Sequence, residues 1–256
     1  MTAQQLSQPQ PPAGAPVLTA ALDRALTAVS TPMFTGAVRW WVSGTNGGIE
    51  LRTAVSGNIP VSVQRPTRVA AGSALLAARL AIAVAGYRPF TTLLPDHRRP
   101  GILAVLRKGG AAEPNQSERA LYGALVQPAV ERAGRPIGVA ATLPLLRRAA
   151  DTEGAWLRSS LDPGDRTRME ALLDESGGAV PSGGLLVVVG SHHDLPTGDL
   201  RAGLAVQRVL LCAAALGLSA EVLAGPVELA RRSHELPGAG PGLVPQVLLQ
   251  VSSPIG

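Results

Sequence analysis

The sequence is organised around Asp199–Pro226, DLRAGLAVQRVLLCAAALGLSAEVLAGP. The first part of this stretch is apolar on nearly every side, which predicts a helix buried within the molecule. Its apolar surface is interrupted only by Arg201, Gln207 and Arg208. Gly217 is the residue type that ends helices in the left-handed conformation, and a short apolar strand follows it. A helix of this composition has to lie inside the fold.

The same helix–glycine–strand unit occurs earlier in the chain, over Arg68–Pro95, RVAAGSALLAARLAIAVAGYRPFTTLLP. Aligning Gly72 with Gly203 gives an offset of 131 residues (203 − 72), which also pairs Gly86 with Gly217. This internal similarity indicates two related halves. We expect the two central helices to pack together, with Gly72 and Gly203 at the close contacts and one sheet around them.

The flanking segments define the expected domain organisation. Residues 1–16 are rich in Gln and Pro and are predicted to be a disordered tail. The first half is expected to span residues 17–128 and the second half residues 129–256. Glycine-rich and proline-rich stretches separate predicted helices from predicted strands throughout, so the fold class is mixed α+β.

The pattern of apolar residues predicts most elements individually. The Asn46-Gly47 pair indicates a hairpin joining strands at 38–43 and 49–53. Residues 59–63 read as a short extended piece and residues 109–116 as a linker. The remaining predicted strands lie at 90–94, 101–107, 156–160, 184–190 and 246–251. Predicted helices other than the central pair lie at 18–29, 117–126, 140–154, 163–175 and 227–234.

Composition excludes several classes of protein. The 256 residues are 46% hydrophobic and 16% charged, as in a soluble globular protein. The net charge is +5, but the arginines are scattered and no run of stacking aromatics is visible, so we expect no nucleic-acid partner. Arg79 and Arg208 interrupt the apolar helices, which then fall short of about 20 residues, so no membrane span is expected.

The expected location is the cytoplasm. The N-terminal residues lack the pattern of a signal peptide, a charged start followed by an apolar run. The single cysteine, Cys212, is compatible with a reducing compartment, and its place in a central helix predicts a buried, unreactive thiol.

The region 184–251 resembles the nitroreductase superfamily, and most closely its actinobacterial Acg-type branch. The family pattern LRAGxAxQRVLLxAxxxGL is matched by LRAGLAVQRVLLCAAALGL at Leu200–Leu218, and its closing strand by PQVLLQV from Pro245. In that branch two nitroreductase-like halves are fused, so one chain mimics the usual homodimer. The resemblance implies an α+β nitroreductase-like fold, present as a monomeric pseudo-dimer or a homodimer.

The resemblance also implies a cofactor and a reaction. FMN would carry hydride from NAD(P)H to a small electron-poor substrate. The residues that would contact the cofactor are Arg39, Trp40, Arg132, Arg135, Gln207 and Arg208. The sequence identifies no catalytic residue and no metal site. Among possible ligands, His192 and His193 are adjacent, and their side chains would point in opposite directions in an extended loop.

Two flavin motifs of the family are altered in this chain. The family's APSxHNTQPW corresponds to STPMFTGAVRW at Ser30–Trp40, where Pro32 and Trp40 remain and the Ser, Asn and Gln are replaced. The family's RRxTNRRPF, whose arginines meet the phosphate, corresponds to ERAGRPI at Glu131–Ile137. The segment between Ser160 and Gly184 is shorter than the family's.

These changes leave a second interpretation open. The protein would then be a flavin-free relative that binds or sequesters a ligand, contacts another protein, or performs non-redox chemistry on a specialised metabolite. At the level of single residues, Gln207 and Arg208 either face a ligand or form a polar pair between the halves. Trp40 either lies beside the ligand or packs in the core.

Overall fold

The computed structural model describes six stretches of the chain: residues 38–43, 48–53, 61–127, 138–175, 184–230 and 242–253. It also describes six isolated positions: Ala20, Leu22, Asp23, Ala25, Thr27 and Leu236. The tail predicted at residues 1–16 and the turn at Asn46-Gly47 lie outside the described residues. Of the helix predicted at 18–29, the five described positions are helical.

Helices and strands alternate along the chain in the mixed pattern expected from the sequence. The strands are β1 (Val38–Ser43), β2 (Gly48–Thr53), β3 (Tyr87–Leu93), β4 (Ile102–Ala111), β5 (Ala155–Ser159), β6 (Leu185–Ser191), β7 (Ser219–Ala224) and β8 (Val244–Ser252). The helices are α1 (Val61–Val84), α2 (Gln116–Val126), α3 (Val139–Thr152), α4 (Pro163–Glu175), α5 (Pro196–Ala215) and α6 (Pro226–Ala230). The α+β class is therefore confirmed.

The eight strands in the described part of the chain form two separate sheets, not the one sheet that we expected. The strand order is β1-β2-β4-β3 in the first and β5-β6-β8-β7 in the second, and every pairing is antiparallel. The hairpin of β1 and β2 is confirmed. A single sheet does not form because each central helix covers its own sheet and then packs against the other helix. The buried apolar residues around the central helices form two clusters. One cluster joins α1 to the first sheet, and the other joins α5 to the second sheet.

The two sheets have the same topology once each strand number in the first is raised by four. In both, two antiparallel strands precede the central helix and two further strands follow it, although in the second half α4 lies between the first two strands. Gly86, with φ 87°, follows α1, and Gly217, with φ 77°, follows α5. The left-handed residue predicted at Gly217 is confirmed, and its earlier counterpart behaves in the same way. This is the arrangement expected of two related halves.

The central helices pack against each other through glycine, as predicted. A Cβ atom added to Gly72 would lie 2.1 Å from the carbonyl oxygen of Leu200, and one added to Gly203 would lie 2.0 Å from that of Val69. The two contacts are related by the offset of 131 residues, because Gly203 corresponds to Gly72 and Leu200 corresponds to Val69. Contacts across a two-fold axis are related in the same way. The Ser73 hydroxyl donates to the Gly203 carbonyl at 3.0 Å and adds a polar tie between the helices.

Two local predictions were wrong. Residues 61–63 are helical rather than extended, since α1 begins at Val61 and contains Pro66 in its second turn. Residues 109–111 belong to β4 rather than to a linker, because Tyr87 of β3 pairs with Ala111. At 109–111 the pairing with β3 outweighs the local preference of two glycines.

Helix α1 is longer than the sequence predicted. Its segment Val63–Val84 is the one described helix that is long and apolar enough to cross a membrane, but 78% of that window is buried inside the protein. A largely buried helix of this kind is typical of the core of a soluble protein. The cytoplasmic location itself stays a prediction.

Candidate functional site

A cavity of about 390 Å³ lies where the first sheet meets the N-terminal ends of both central helices. Its walls come from the end of β2, the first turns of α1, the β3–β4 connection and the first residue of α5. The described lining residues are Thr53, Gln64, Thr67, Arg68, Leu94, Asp96, His97, Pro100, Gly101, Ile102, Leu103 and Pro196. The volume lies within the usual range for small-molecule sites.

The residues that line the cavity are of two kinds, apolar and polar. Leu94, Ile102, Leu103 and two prolines form an apolar surface, whereas α1 and the loop at Asp96 supply polar groups. Leu94 has a φ of 45°, which is the left-handed region and unusual for a branched residue that is not glycine. Strained backbone of this kind is concentrated at functional sites.

Arg68 at the cavity belongs to a cluster of charged residues that joins the two halves. Its Nε donates to Oδ2 of Asp199 at 2.8 Å, and its Nη1 donates to the Gln64 side chain at 3.3 Å. Asp199 is 1% exposed. Arg65 also contacts Asp199, at 3.5 Å, and forms a second ion pair with Asp194. The cluster therefore holds two arginines and two carboxylates.

Gln246 in β8 completes the surroundings of Asp199. Its Nε2 donates to Oδ1 of Asp199 at 2.7 Å and to the Ser191 hydroxyl at 3.3 Å. The residue is fully buried, and its Oε1 has no hydrogen-bond partner among the described residues. With both amide hydrogens engaged, Gln246 fixes the carboxylate of Asp199 from the side of the second sheet.

Burial raises the pKa of the Asp199 carboxyl, and the hydrogen bonds and charges of Arg68, Arg65 and Gln246 lower it only in part. A group with a raised folded-state pKa contributes stability at acid pH, and loses that contribution as the pH rises through the folded value. Replacing Asp199 with Asn removes this titration. We therefore expect the stability of the wild type relative to Asp199→Asn to be highest at the most acid pH.

The measurement is the free energy of unfolding by denaturant at a series of acid pH values, with Asp96→Asn as the control. Hydrogen bonds from the Arg98 amide and the Arg99 guanidinium lower the pKa of Asp96. Its contribution should therefore be lost as the pH falls, in the opposite direction to that of Asp199. A wild-type advantage over Asp199→Asn that grows with rising pH would contradict the prediction.

A second charged cluster joins the central helices further along their length. Glu153, just after α3 and 8% exposed, accepts from Nη1 of Arg79 at 2.8 Å and from Nε of Arg208 at 2.7 Å. Arg79 lies on α1 and Arg208 on α5. One buried carboxylate thus holds both central helices and the end of α3.

A groove of about 560 Å³ lies next to this cluster, between α2, α3 and the C-terminal end of α5. Its lining includes Arg208, Cys212 and the exposed side chain of Leu145. Burial raises the pKa of the Cys212 thiol, and the charge of Arg208 offsets this only in part. Cys212 is half-buried and not fully buried as expected, while its raised pKa favours the unreactive thiol form.

Two of the residues that the resemblance assigns to the cofactor, Gln207 and Arg208, do not line the cavity. Gln207 is buried, and Arg208 is paired with Glu153 and lines the groove, not the cavity. On a helix, Gln207 lies about 12 Å along the axis from Asp199. The interpretation of a polar pair between the halves agrees with the placement of Arg208, because its partner Glu153 also accepts from Arg79 of α1.

The other assigned residues are described only in part. Arg39 and Trp40 lie in β1, opposite Arg52 and Leu51 of β2, so Arg39 is one register position from the cavity residue Thr53. Their side chains, and the whole of Arg132 and Arg135, lie outside the described residues. Their role in cofactor binding stays a prediction.

Sequence reasoning did not find Arg68, Asp199, Gln246 or Glu153. One signal was present: Arg68 and Asp199 occupy equivalent positions in the two halves, 131 residues apart, and carry opposite charges. Where the two helices meet about an approximate two-fold axis, equivalent positions near the axis face each other. No group of three or more metal-binding side chains occurs among the described residues.

No protein-family model matches the chain, and no curated protein shows significant similarity to it.

Proposed function

We propose that the cavity binds the ring system of FMN and that the protein is a nitroreductase-like flavin oxidoreductase. The observation that supports this most is the position and form of the cavity. It lies at the N-terminal ends of both central helices, residues 53–103 supply its described lining except for Pro196 of α5, and that lining combines apolar side chains with hydrogen-bonding groups. A fused pseudo-dimer of the Acg type would place a ligand between its halves.

The cavity suits a flavin ring in size and in polarity. The ring is flat and apolar over most of its area, and one edge carries carbonyl oxygens and ring nitrogens. Leu94, Ile102 and Leu103 would cover the apolar part and exclude water. Thr67 and Arg68 lie on the polar side, where donors and acceptors are required.

The cavity suits the phosphate of FMN much less well. Among its described lining residues only Arg68 and His97 can carry positive charge, and Arg68 is already paired with Asp199. Asp96 adds negative charge to the wall, since its pKa is lowered. The phosphate would therefore lie outside this cavity, against the predicted contacts Arg39, Arg132 and Arg135.

When bound, FMN would accept hydride from NAD(P)H and pass it to a small electron-poor substrate. The protein's part is to hold the ring in the cavity, to keep water from its apolar part and to orient its polar edge. A cytoplasmic monomer whose two halves replace the usual homodimer would be sufficient for this.

The charge balance of the cavity also favours a second candidate, a flavin-free ligand-binding protein. A site whose arginine is neutralised by Asp199 can hold an uncharged flat ligand without a phosphate. The altered flavin motifs at residues 30–40 and 131–137 also favour a flavin-free protein. The two candidates differ in whether the purified protein binds flavin.

The test is a titration of the purified protein with FMN, followed by visible absorbance and by quenching of flavin fluorescence. The flavin proposal requires binding with a Kd of about 1 μM or tighter, equivalent to roughly 8 kcal/mol. A protein that is colourless as purified and does not respond to FMN would overturn it and favour the flavin-free candidate.

A variant that fills the cavity makes the test specific. A Cβ atom added to the cavity residue Gly101 meets only the Thr53 hydroxyl, at 3.5 Å, so Gly101→Leu should fold and project into the cavity. Gly110→Leu is the control, since nothing lies within 4 Å of a Cβ atom there and Gly110 does not line the cavity. We expect Gly101→Leu to abolish FMN binding and Gly110→Leu to leave it unchanged. Equal binding by both variants would place the flavin elsewhere.

A further inference from the structure

The hydrogen-bond donors of Arg68 that remain unused in the described contacts determine which part of a ligand it can recognise. Its side chain is 18% exposed and lines the cavity. A guanidinium has five N–H donors, and in the described contacts one is directed to Asp199 and one to Gln64. The others make no hydrogen bond with a described residue. Because Arg68 lines the cavity, these donors are available to a ligand there, while Asp199 and Gln64 hold the other two.

The charge around Arg68 is balanced before any ligand binds. Arg65 and Arg68 face Asp194 and Asp199, so the four formal charges of the cluster sum to zero. The lining carboxylate Asp96 adds a further negative charge nearby. A phosphate dianion would gain little net attraction here, and its desolvation would not be compensated. A neutral carbonyl oxygen needs only the hydrogen bonds.

We propose that Arg68 recognises a neutral carbonyl oxygen on the polar edge of the flavin ring, and that Asp199 is the residue that positions it. This inference rests on the proposed function, because it places the ring in the cavity. Asp199 does not touch the ligand. It accepts a hydrogen bond from Nε of Arg68 and so holds the guanidinium in place. Gln246 donates to Asp199 and holds its carboxylate in turn.

The experiment compares three ligands that share one ring: lumiflavin, riboflavin and FMN. Arg68→Gln should weaken all three by a similar factor, about 10-fold or more, since one hydrogen bond from a charged donor to the ring is lost. Arg65→Gln is the matched control, because Arg65 also contacts Asp199 but does not line the cavity. We expect it to change each Kd by no more than about 3-fold, since Arg68 keeps its own contact with Asp199.

Two further variants separate positioning from folding. Arg68→Lys keeps the charge balance but loses the planar fork, so it should weaken the three ligands as Arg68→Gln does. Asp199→Asn should weaken lumiflavin and riboflavin, because Arg68 is no longer held. It should also raise the preference for FMN over riboflavin, because the charge of Arg68 is no longer balanced. A purely structural role of Asp199 would instead lower the thermal stability of the variant without weakening the binding of lumiflavin or riboflavin by the folded protein.

The results distinguish the inference from the proposed function. If Arg68→Gln weakens FMN but not lumiflavin or riboflavin, Arg68 is a phosphate contact and the inference is wrong, although the flavin proposal stands. If the wild type binds all three flavins and neither Arg68 variant changes a Kd, the inference is also overturned. If the wild type binds no flavin, both fail. Circular dichroism and thermal unfolding of each variant establish that it is folded.

Discussion

Replacing Gly203 with alanine is expected to lower the free energy of unfolding by about 3 kcal/mol, which is large for the addition of one methyl group. The added Cβ atom would lie 2.0 Å from the Val69 carbonyl oxygen and 3.0 Å from the Gly72 Cα atom. Both are backbone atoms, so no rotamer change relieves the overlap and the two central helices must move apart. Denaturant unfolding followed by circular dichroism measures the loss.

The control is Gly123→Ala in the middle of α2, where a Cβ atom meets only the end of the Gln127 side chain, at 4.0 Å. Alanine is the better helix former by up to about 1 kcal/mol, so this variant should be as stable as the wild type or more stable. The same substitution is thus expected to act in opposite directions in the two helices. A Gly203→Ala protein of wild-type stability would show that the helices do not pack as closely as the structure has them.

Replacing Glu153 with glutamine is expected to cost about 2–3 kcal/mol of stability. The side chain of Glu153 is 5% exposed and accepts hydrogen bonds from both Arg79 and Arg208. Removal of one partner from a buried ion pair costs about 3–5 kcal/mol, because the remaining charges lose their compensation. The arginine side chains are 29% and 14% exposed, so water should reduce the loss somewhat.

Glu170→Gln provides a control of the same chemistry at the surface. Glu170 accepts from Arg166 at 2.7 Å within α4, and both side chains are 31% exposed. A pair of this kind contributes about 0.3–0.5 kcal/mol, so its loss should be barely measurable. Equal effects of the two substitutions would mean that Glu153 is not the buried junction of α1, α3 and α5.

The predictions from sequence succeeded where the signal is local. The apolar stretch at residues 199–226 predicted the second central helix and the strand after it, because a helix without a polar face has to be buried. Helix α4 begins and ends as predicted, and the hairpin of β1 and β2 follows from its turn residues and alternating strands. Repetition of the helix–glycine–strand unit was sufficient to predict the contact between Gly72 and Gly203.

The predictions failed where the outcome depends on pairing over long distances. Proline and valine predicted no helix at residues 61–63, and two glycines predicted a linker at 109–111. Residues 61–63 instead begin α1, and the pairing of Tyr87 with Ala111 places residues 109–111 in β4. The number of sheets was wrong for the same reason, since strand propensity does not say which strands are neighbours. Two sheets form because the paired central helices lie between them and cover one face of each.

The sequence by itself determined that two apolar helices, each followed by a glycine, form the interior of an α+β protein. It did so because apolar periodicity and backbone conformation are properties of consecutive residues. Only the tertiary structure decided where the candidate site lies. Arg68 and Asp199 are 131 residues apart, and Gln246 is 47 residues beyond Asp199. They meet because the close approach of the helices at Gly72 and Gly203 brings the first turns of α1 and α5 together beside the cavity.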